Sequence, residues 1–269
     1  MIEQTLLYER YDNHVAVLTF NRPQSLNALD LATMQEFASK VNDLTHDDDL
    51  RVLILTGTGE RSFSSGADIN DFADKNSEED ALKFITIMGD ALLKLEQLPV
   101  PVIAAINGYA LGGGSEIALA CDMRIVDKKA RLGMVQMRMA VTTGWGAGQR
   151  LMRLVGYPRA MQLLLRAHVM HAPEIKELGL AVNVVEAGKA FEHALAFARH
   201  IAQSPPDAVR GVKQLLQAGL NNPYEDALAI EREIFPSLWA GDAHKDAVDT
   251  FLERQRVYEA EKTNNNHNR

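Results

Sequence analysis

Short apolar runs alternate with segments of helical spacing from residue 14 to residue 185, and after Gly188 the alternation stops. Residues 14–20 (HVAVLTF), 51–56 (RVLILT), 102–106 (VIAAI), 122–126 (DMRIV) and 181–185 (AVNVV) are rich in Val, Ile and Leu and read as strands. Between the first two, residues 30–42 show helical spacing behind Asp30 as a cap. Residues 77–98 open on Ser77 with an acidic first turn and end before Pro99. Strands and helices in this order pair through crossovers, so the pattern predicts an α/β fold. Beyond Gly188, residues 190–202, 207–218, 224–238 and 242–260 all read as helices, broken by Pro205, Pro206 and Pro223. The expected organisation is an α/β core over 1–188, a helical region over 189–262 and an unordered polar tail over 263–269.

A chain of 269 residues that is 46% hydrophobic can bury a substantial core. No stretch reaches the roughly 18 uncharged apolar residues that span a bilayer, and the first residues lack the basic start and apolar centre of a signal peptide. A soluble, cytoplasmic protein without membrane association is therefore expected. The single cysteine, Cys121, excludes an internal disulfide and a multi-cysteine zinc site, and it reads as a buried thiol. A net charge of −8 with scattered basic residues argues against nucleic acid as a partner. The local excess at Arg138, Arg150, Arg153, Arg159 and Arg166 reads as a solvated or subunit-facing helical surface.

Two glycine loops carry the chemistry. Residues 63–69 (FSSGADI) follow one strand and residues 107–116 (NGYALGGGSE) follow another, each leading into a helix. Glycine lets backbone approach a ligand closely, and a helix N-terminus offers free N–H groups with partial positive charge. Two such N–H groups can converge on one carbonyl oxygen. Taken singly, either loop is accounted for by chain reversal, and neither carries GxxxxGK[ST] or GxGxxG for phosphate binding.

Together with NRPQSLNAL (21–29), AAINGYALGGGSEIALACDMRI (104–125), GWGAGQRL (144–151) and FLER (251–254), these loops resemble the crotonase family, also called the enoyl-CoA hydratase/isomerase superfamily. The resemblance covers nearly the whole chain. It implies a spiral of ββα units followed by helices that assemble homotrimers, often stacked into hexamers. It also implies a CoA thioester as substrate, with no cofactor beyond the coenzyme A that the substrate carries. Carried over by the resemblance, the backbone N–H groups of Ala67 and Gly113 form an oxyanion hole, with Glu116 beside them. By the same resemblance Ala67, Asp68, Ile69, Gly112 and Trp145 belong to the residues that bind the acyl-CoA substrate. Ser25, Leu26 and Ala28 lie towards the adenine end of CoA, and Phe251 and Arg254 reach CoA, often from a neighbouring subunit.

Hydratases of this family use a second glutamate, and here Gln136 occupies its position. An amide has no titration near neutral pH, so Gln136 can orient water but cannot act as an ordinary acid or base. Asn70 and Thr143 also depart from common family residues. Met134, Met137, Met139 and Trp145 flank Gln136, either as an acyl-chain wall or as plain core. Arg138 binds an acyl carboxylate if it points inward and is surface otherwise. Asp68 reads as a loop-fixing residue and Ser115 as packing, and His168 and His171 lack a metal-binding setting, so no metal is assigned.

The function expected is a hydratase-like lyase acting on a short- or medium-chain acyl-CoA. The alternatives are decarboxylation of a malonyl-type CoA, enoyl-CoA isomerisation, or a catalytically silent acyl-CoA-binding protein.

Overall fold

A computed structural model of the chain describes residues 4–75 and 77–267, with side chains described as far as Tyr258. The elements open with strands β1 (Leu6–Tyr11) and β2 (Val15–Phe20), helix α1 (Leu31–Leu44), and strands β3 (Val52–Gly57) and β4 (Ser62–Ser64). Helices α2 (Ile69–Phe72) and α3 (Glu78–Gln97) lead to β5 (Val102–Ile106), β6 (Tyr109–Leu111), α4 (Gly113–Ala120), β7 (Met123–Asp127) and β8 (Arg131–Gly133). Then come α5 (Ala147–Val155), α6 (Tyr157–Arg166), β9 (Met170–His171), α7 (Ala172–Glu177), β10 (Asn183–Val185) and α8 (Ala190–Ala202). The last four helices are completed by α9 (Pro206–Asn221), α10 (Tyr224–Ala240) and α11 (Asp242–His267).

One sheet runs β1-β2-β3-β5-β7-β10, with β1 antiparallel to β2 and the other neighbours parallel. Every residue of β3 and β5 is buried, as expected of parallel strands covered on both faces. The period of two sorts them. Leu53, Leu55, Val102, Ala104 and Ile106 join the core that includes Met34, Phe37 and Leu92 from α1 and α3, while Val52, Ile54, Ile103 and Ala105 pack with Ala194 and Ala198 of α8.

A second sheet, β4-β6-β8-β9, is built from strands of two or three residues. β3, β5 and β7 of the first sheet are followed in turn by β4, β6 and β8 of the second, and a helix comes after each pair. This is the ββα spiral that the resemblance implies. The short strands fall inside segments that the sequence reads as loops, because two or three residues carry no alternation to recognise. β1, an edge strand in which only Leu6 is buried and Tyr8, Glu9 and Arg10 are exposed, is likewise absent from the reading.

The caps read from sequence are present. Asp30 accepts from the Thr33 N–H at 2.8 Å, and Ser77 and Asp80 form a capping box at the start of α3. Helix boundaries agree within a few residues, except that α11 continues to His267 through most of the segment expected to be unordered; residues 268–269 lie outside the described residues. The chain divides into two units at Ser204/Pro205 rather than at Gly188. The reason is α8, whose small residues Ala194 and Ala198 lie flat on the β-sheet and tie that helix to the first unit. The second unit comprises α9, α10 and α11, and exposes Leu216, Leu220, Phe235 and Trp239. Among the described residues, no helix is long and apolar enough to cross a membrane.

Candidate active site

The loop at residues 21–29 scaffolds the first half of the site. Asn27, 1% exposed, accepts from the Arg22 N–H at 3.0 Å through Oδ1 and donates through Nδ2 to the Thr58 and Ser62 carbonyls at 3.1 and 2.7 Å. Leu26 accepts at its carbonyl from the Ser65 N–H at 3.1 Å, and Ser64 Oγ donates to the Asn27 carbonyl at 2.8 Å. Ser25, Leu26 and Ala28 are thereby fixed against the segment that bears Ala67. Arg22 adds an ion pair to Asp68 at 2.9 Å, a hydrogen bond to the Ala28 carbonyl at 2.7 Å and a pair with Asp30 at 3.4 Å. Asp68 also caps the Asn70 N–H at 3.2 Å, so its carboxylate fixes the loop, while Ile69 is 61% exposed.

Ala67 pairs with Leu29 in an isolated parallel bridge: the Leu29 N–H donates to the Gly66 carbonyl and the Asp68 N–H donates to the Leu29 carbonyl, both at 2.8 Å. A residue bracketed in this way turns its own N–H away from the partner strand. Gly113 is the first residue of α4, where helix N–H groups have no intrahelical acceptor. Among the described residues, neither N–H finds a protein acceptor. The two loops touch: a methyl group built on Gly66, whose φ is +92°, would stand 2.5 Å from the Gly113 nitrogen. Only glycine permits that approach. Two unpaired donors on loops that touch can hold one carbonyl oxygen if they converge.

Glu116 lies three residues along α4, hence on the same face as Gly113, and is 2% exposed. Its Oε1 accepts from Gln136 Nε2 at 2.9 Å and the Gly144 N–H at 3.3 Å; its Oε2 accepts from the N–H groups of Trp145 at 2.8 Å and Ala147 at 3.1 Å. Burial raises its pKa above the ordinary glutamate value, opposed by the donors from Ala147, Trp145, Gln136 and Gly144. Gln136 sits in a short 3-10 turn (Gln136–Met139), and its Oε1 is buried without a hydrogen-bond partner.

Trp145 is 4% exposed and its ring edge closes on Gly113: a methyl group there would meet Cζ3 at 2.1 Å. Met134 is buried in the same core cluster, whereas Met137 and Met139 are exposed, so the three methionines do not form one wall. Arg138 is exposed and reads as surface. Arg150 departs from the expected solvated face. It is 9% exposed, binds Glu96 of α3 at 3.0 and 2.9 Å, and donates to the Trp145 carbonyl at 2.7 Å. Asn27, Arg22 and Arg150 support the site without having been singled out from sequence for that role; the only signal was their place within the matched motifs.

Gly112 caps α4, and Ser115 donates to the Gly112 carbonyl at 2.6 Å while fully buried, in keeping with packing. His168 pairs with Glu174 at 2.7 Å, and among the described residues no group of three or more His, Cys, Asp or Glu can hold a metal. Phe251 and Arg254 belong to α11 in the second unit and are exposed there. An open cleft lined by Glu9, Tyr11, Thr56, Asn107, Lys129 and Phe191 contains none of the residues named for the site.

The profile of the enoyl-CoA hydratase/isomerase family matches residues 10–261. The chain is 39% identical over 246 residues to a short-chain-enoyl-CoA hydratase of Clostridium acetobutylicum, covering 91% of this chain and 94% of that protein. It is 32% identical over 237 residues to an ethylmalonyl-CoA decarboxylase of Gallus gallus, covering 87% and 79%. The crystal structure of an enoyl-CoA hydratase from Bacillus anthracis superimposes with a TM-score of 0.89 at 35% identity, covering 93% and 97%. With the ββα spiral, the paired glycine loops and these likenesses together, the chain belongs to the enoyl-CoA hydratase/isomerase, or crotonase, family.

Proposed function

We propose that the chain adds water reversibly across the Cα–Cβ double bond of a short- or medium-chain enoyl-CoA thioester. What supports this reading is that the loops bearing Ala67 and Gly113, whose N–H groups have no protein acceptor among the described residues, touch at Gly66, with the buried Glu116 three residues along α4 from Gly113. The thioester oxygen accepts from the two N–H groups, which draw electrons from Cβ. Glu116 takes a proton from water as the oxygen bonds to Cβ, and negative charge collects on the carbonyl oxygen as an enolate. The proton then passes to Cα. Gln136 cannot supply it, so Glu116 returns the proton it accepted. The Gln136 amide orients the carboxylate.

Ser25, Leu26 and Ala28 would hold the adenine end, and Phe251 and Arg254 would reach CoA from a neighbouring copy. The exposed apolar side chains of the second unit suit assembly into a homotrimer or hexamer. No cofactor and no nucleic acid enters this reading, and a cytoplasmic location agrees with it. Loss of the crotonyl-CoA enoyl absorbance tests the activity. Glu116→Ala should reduce the rate by about 10²- to 10⁴-fold; no turnover by the wild type, or none lost in the variant, overturns the reading.

A second reading, decarboxylation of a malonyl-type CoA, is favoured by the four hydrogen bonds that already engage Glu116 and by the likeness to the chicken decarboxylase. There the bond from Cα to the carboxylate breaks, CO₂ leaves, its electron pair enters the same enolate, and a solvent proton is taken up at Cα. Release of CO₂ from ethylmalonyl-CoA, without hydration of crotonyl-CoA, would establish it.

A further inference from the structure

We infer that the indole of Trp145 is the end wall of the acyl pocket and restricts the substrate to acyl groups of about four carbons. The inference rests on the hydratase reading and narrows its substrate. Trp145 touches both groups between which the reacting atoms must lie. Its ring edge lies against Gly113, since a methyl group on that residue would meet Cζ3 at 2.1 Å and Cη2 at 2.5 Å. Its own N–H donates to Glu116 Oε2 at 2.8 Å. Under this inference, a thioester whose oxygen sits on the Gly113 N–H and whose Cα–Cβ bond faces Glu116 runs its remaining carbons toward the indole packed on Gly113, while the Trp145 backbone N–H holds Glu116.

The ring has little freedom to step aside. Trp145 is 4% exposed, and its backbone is pinned on both sides: the N–H on Glu116, the carbonyl on Arg150 Nη1 at 2.7 Å. Arg150 is in turn held by Glu96 on α3. The neighbouring loop residue is also closely backed, because a methyl group on Gly144 would meet Ile85 Cγ2 at 3.0 Å. Trp145 belongs to the large apolar cluster against which Ile85 packs, and Ile85 already reaches the adjacent Gly144, so a shortened side chain at 145 would leave apolar space suited to a longer chain.

The test compares kcat/KM for crotonyl-CoA and octenoyl-CoA in the wild type, Trp145→Ala and Trp145→Phe, alongside calorimetric binding of butyryl-CoA and octanoyl-CoA and thermal melting. The wild type is expected to favour the shorter thioester in both turnover and binding. Trp145→Ala should raise the octenoyl-to-crotonyl ratio at least about tenfold, the scale on which pocket shape discriminates carbon chains, with Trp145→Phe between the two. A folded Trp145→Ala with an unchanged ratio overturns the inference, as does a wild type that handles both lengths equally. Should Trp145→Ala melt out, the Trp145→Phe ratio and the wild-type binding preference decide. Absence of wild-type turnover with selective binding of butyryl-CoA would sink the hydration reading while upholding the wall.

Discussion

Gln136 donates its amide N–H to Glu116 Oε1 across 2.9 Å, so the carboxylate of the site is bound to a side chain that cannot itself exchange a proton. The pairing leaves proton handling in the proposed hydration to Glu116. Replacing Gln136 by Glu would put two carboxyl groups at hydrogen-bond distance, where like charge forces them to share a proton. Gln136→Glu is expected to raise crotonyl-CoA hydration at least about tenfold by restoring a second acid, measured as kcat under saturating substrate.

The raised pKa of Glu116 gives a pH signature. Burial favours its protonated form in the folded chain, so the stability tied to that proton is complete below the unfolded glutamate value of about 4.3 and is lost as pH rises through the folded value. Activity runs the other way, because the reaction needs the carboxylate. The acid limb of log kcat/KM should therefore fall at a pH above the ordinary glutamate range. A limb at or below about 4 would contradict the burial argument.

Gly113→Ala should shift one of the proposed oxyanion donors, since the added methyl lands 2.1 Å from the Trp145 ring and either the ring or the N–H must move. The expected loss in kcat is about 10²- to 10³-fold. Ala67→Gly, which keeps its backbone donor, should cost less than about tenfold. Parallel steady-state measurements on the two variants separate backbone from side-chain roles.

Arg22→Ala unties the loop bearing Ser25, Leu26 and Ala28 from Asp68 and Asp30. Binding of the CoA portion, which is the same in ground and transition states, should weaken: KM rises about fivefold to tenfold with kcat little changed. Equal losses in kcat and kcat/KM would instead place Arg22 in the chemistry.

Much of this arrangement is legible in the residues themselves. The parallel strands announce themselves because burial on both faces demands unbroken Val, Ile and Leu, as in VLILTG of β3. Asp30 and Ser77 mark helix starts through hydrogen bonds made within three residues. Strands such as Ser62–Ser64 are invisible because their stability comes from neighbours distant in sequence, here Tyr109 and Ala110. The same holds in the site. The glycine loops can be read, but the closure of Trp145 on Gly113 and the clasp of Arg150 on Glu96 join segments 32 and 54 positions apart. The burial of Arg150 cannot be read locally, because a helix with several arginines gives no sign of which one finds a carboxylate on another helix.

The Ala67 and Gly113 donors are peptide N–H groups, and their aim depends on the path of the main chain. Nearly any residue at position 67 would still present the same amide, so the proposed hole is robust to point mutation where the backbone has room. In the proposed reaction the proton is handled by side chains at 116 and 136 that single codon changes can rewrite. A scaffold of this kind separates a durable electrophile-activating element from an easily exchanged proton-handling one, which makes it a natural starting point for laboratory evolution of new thioester chemistry.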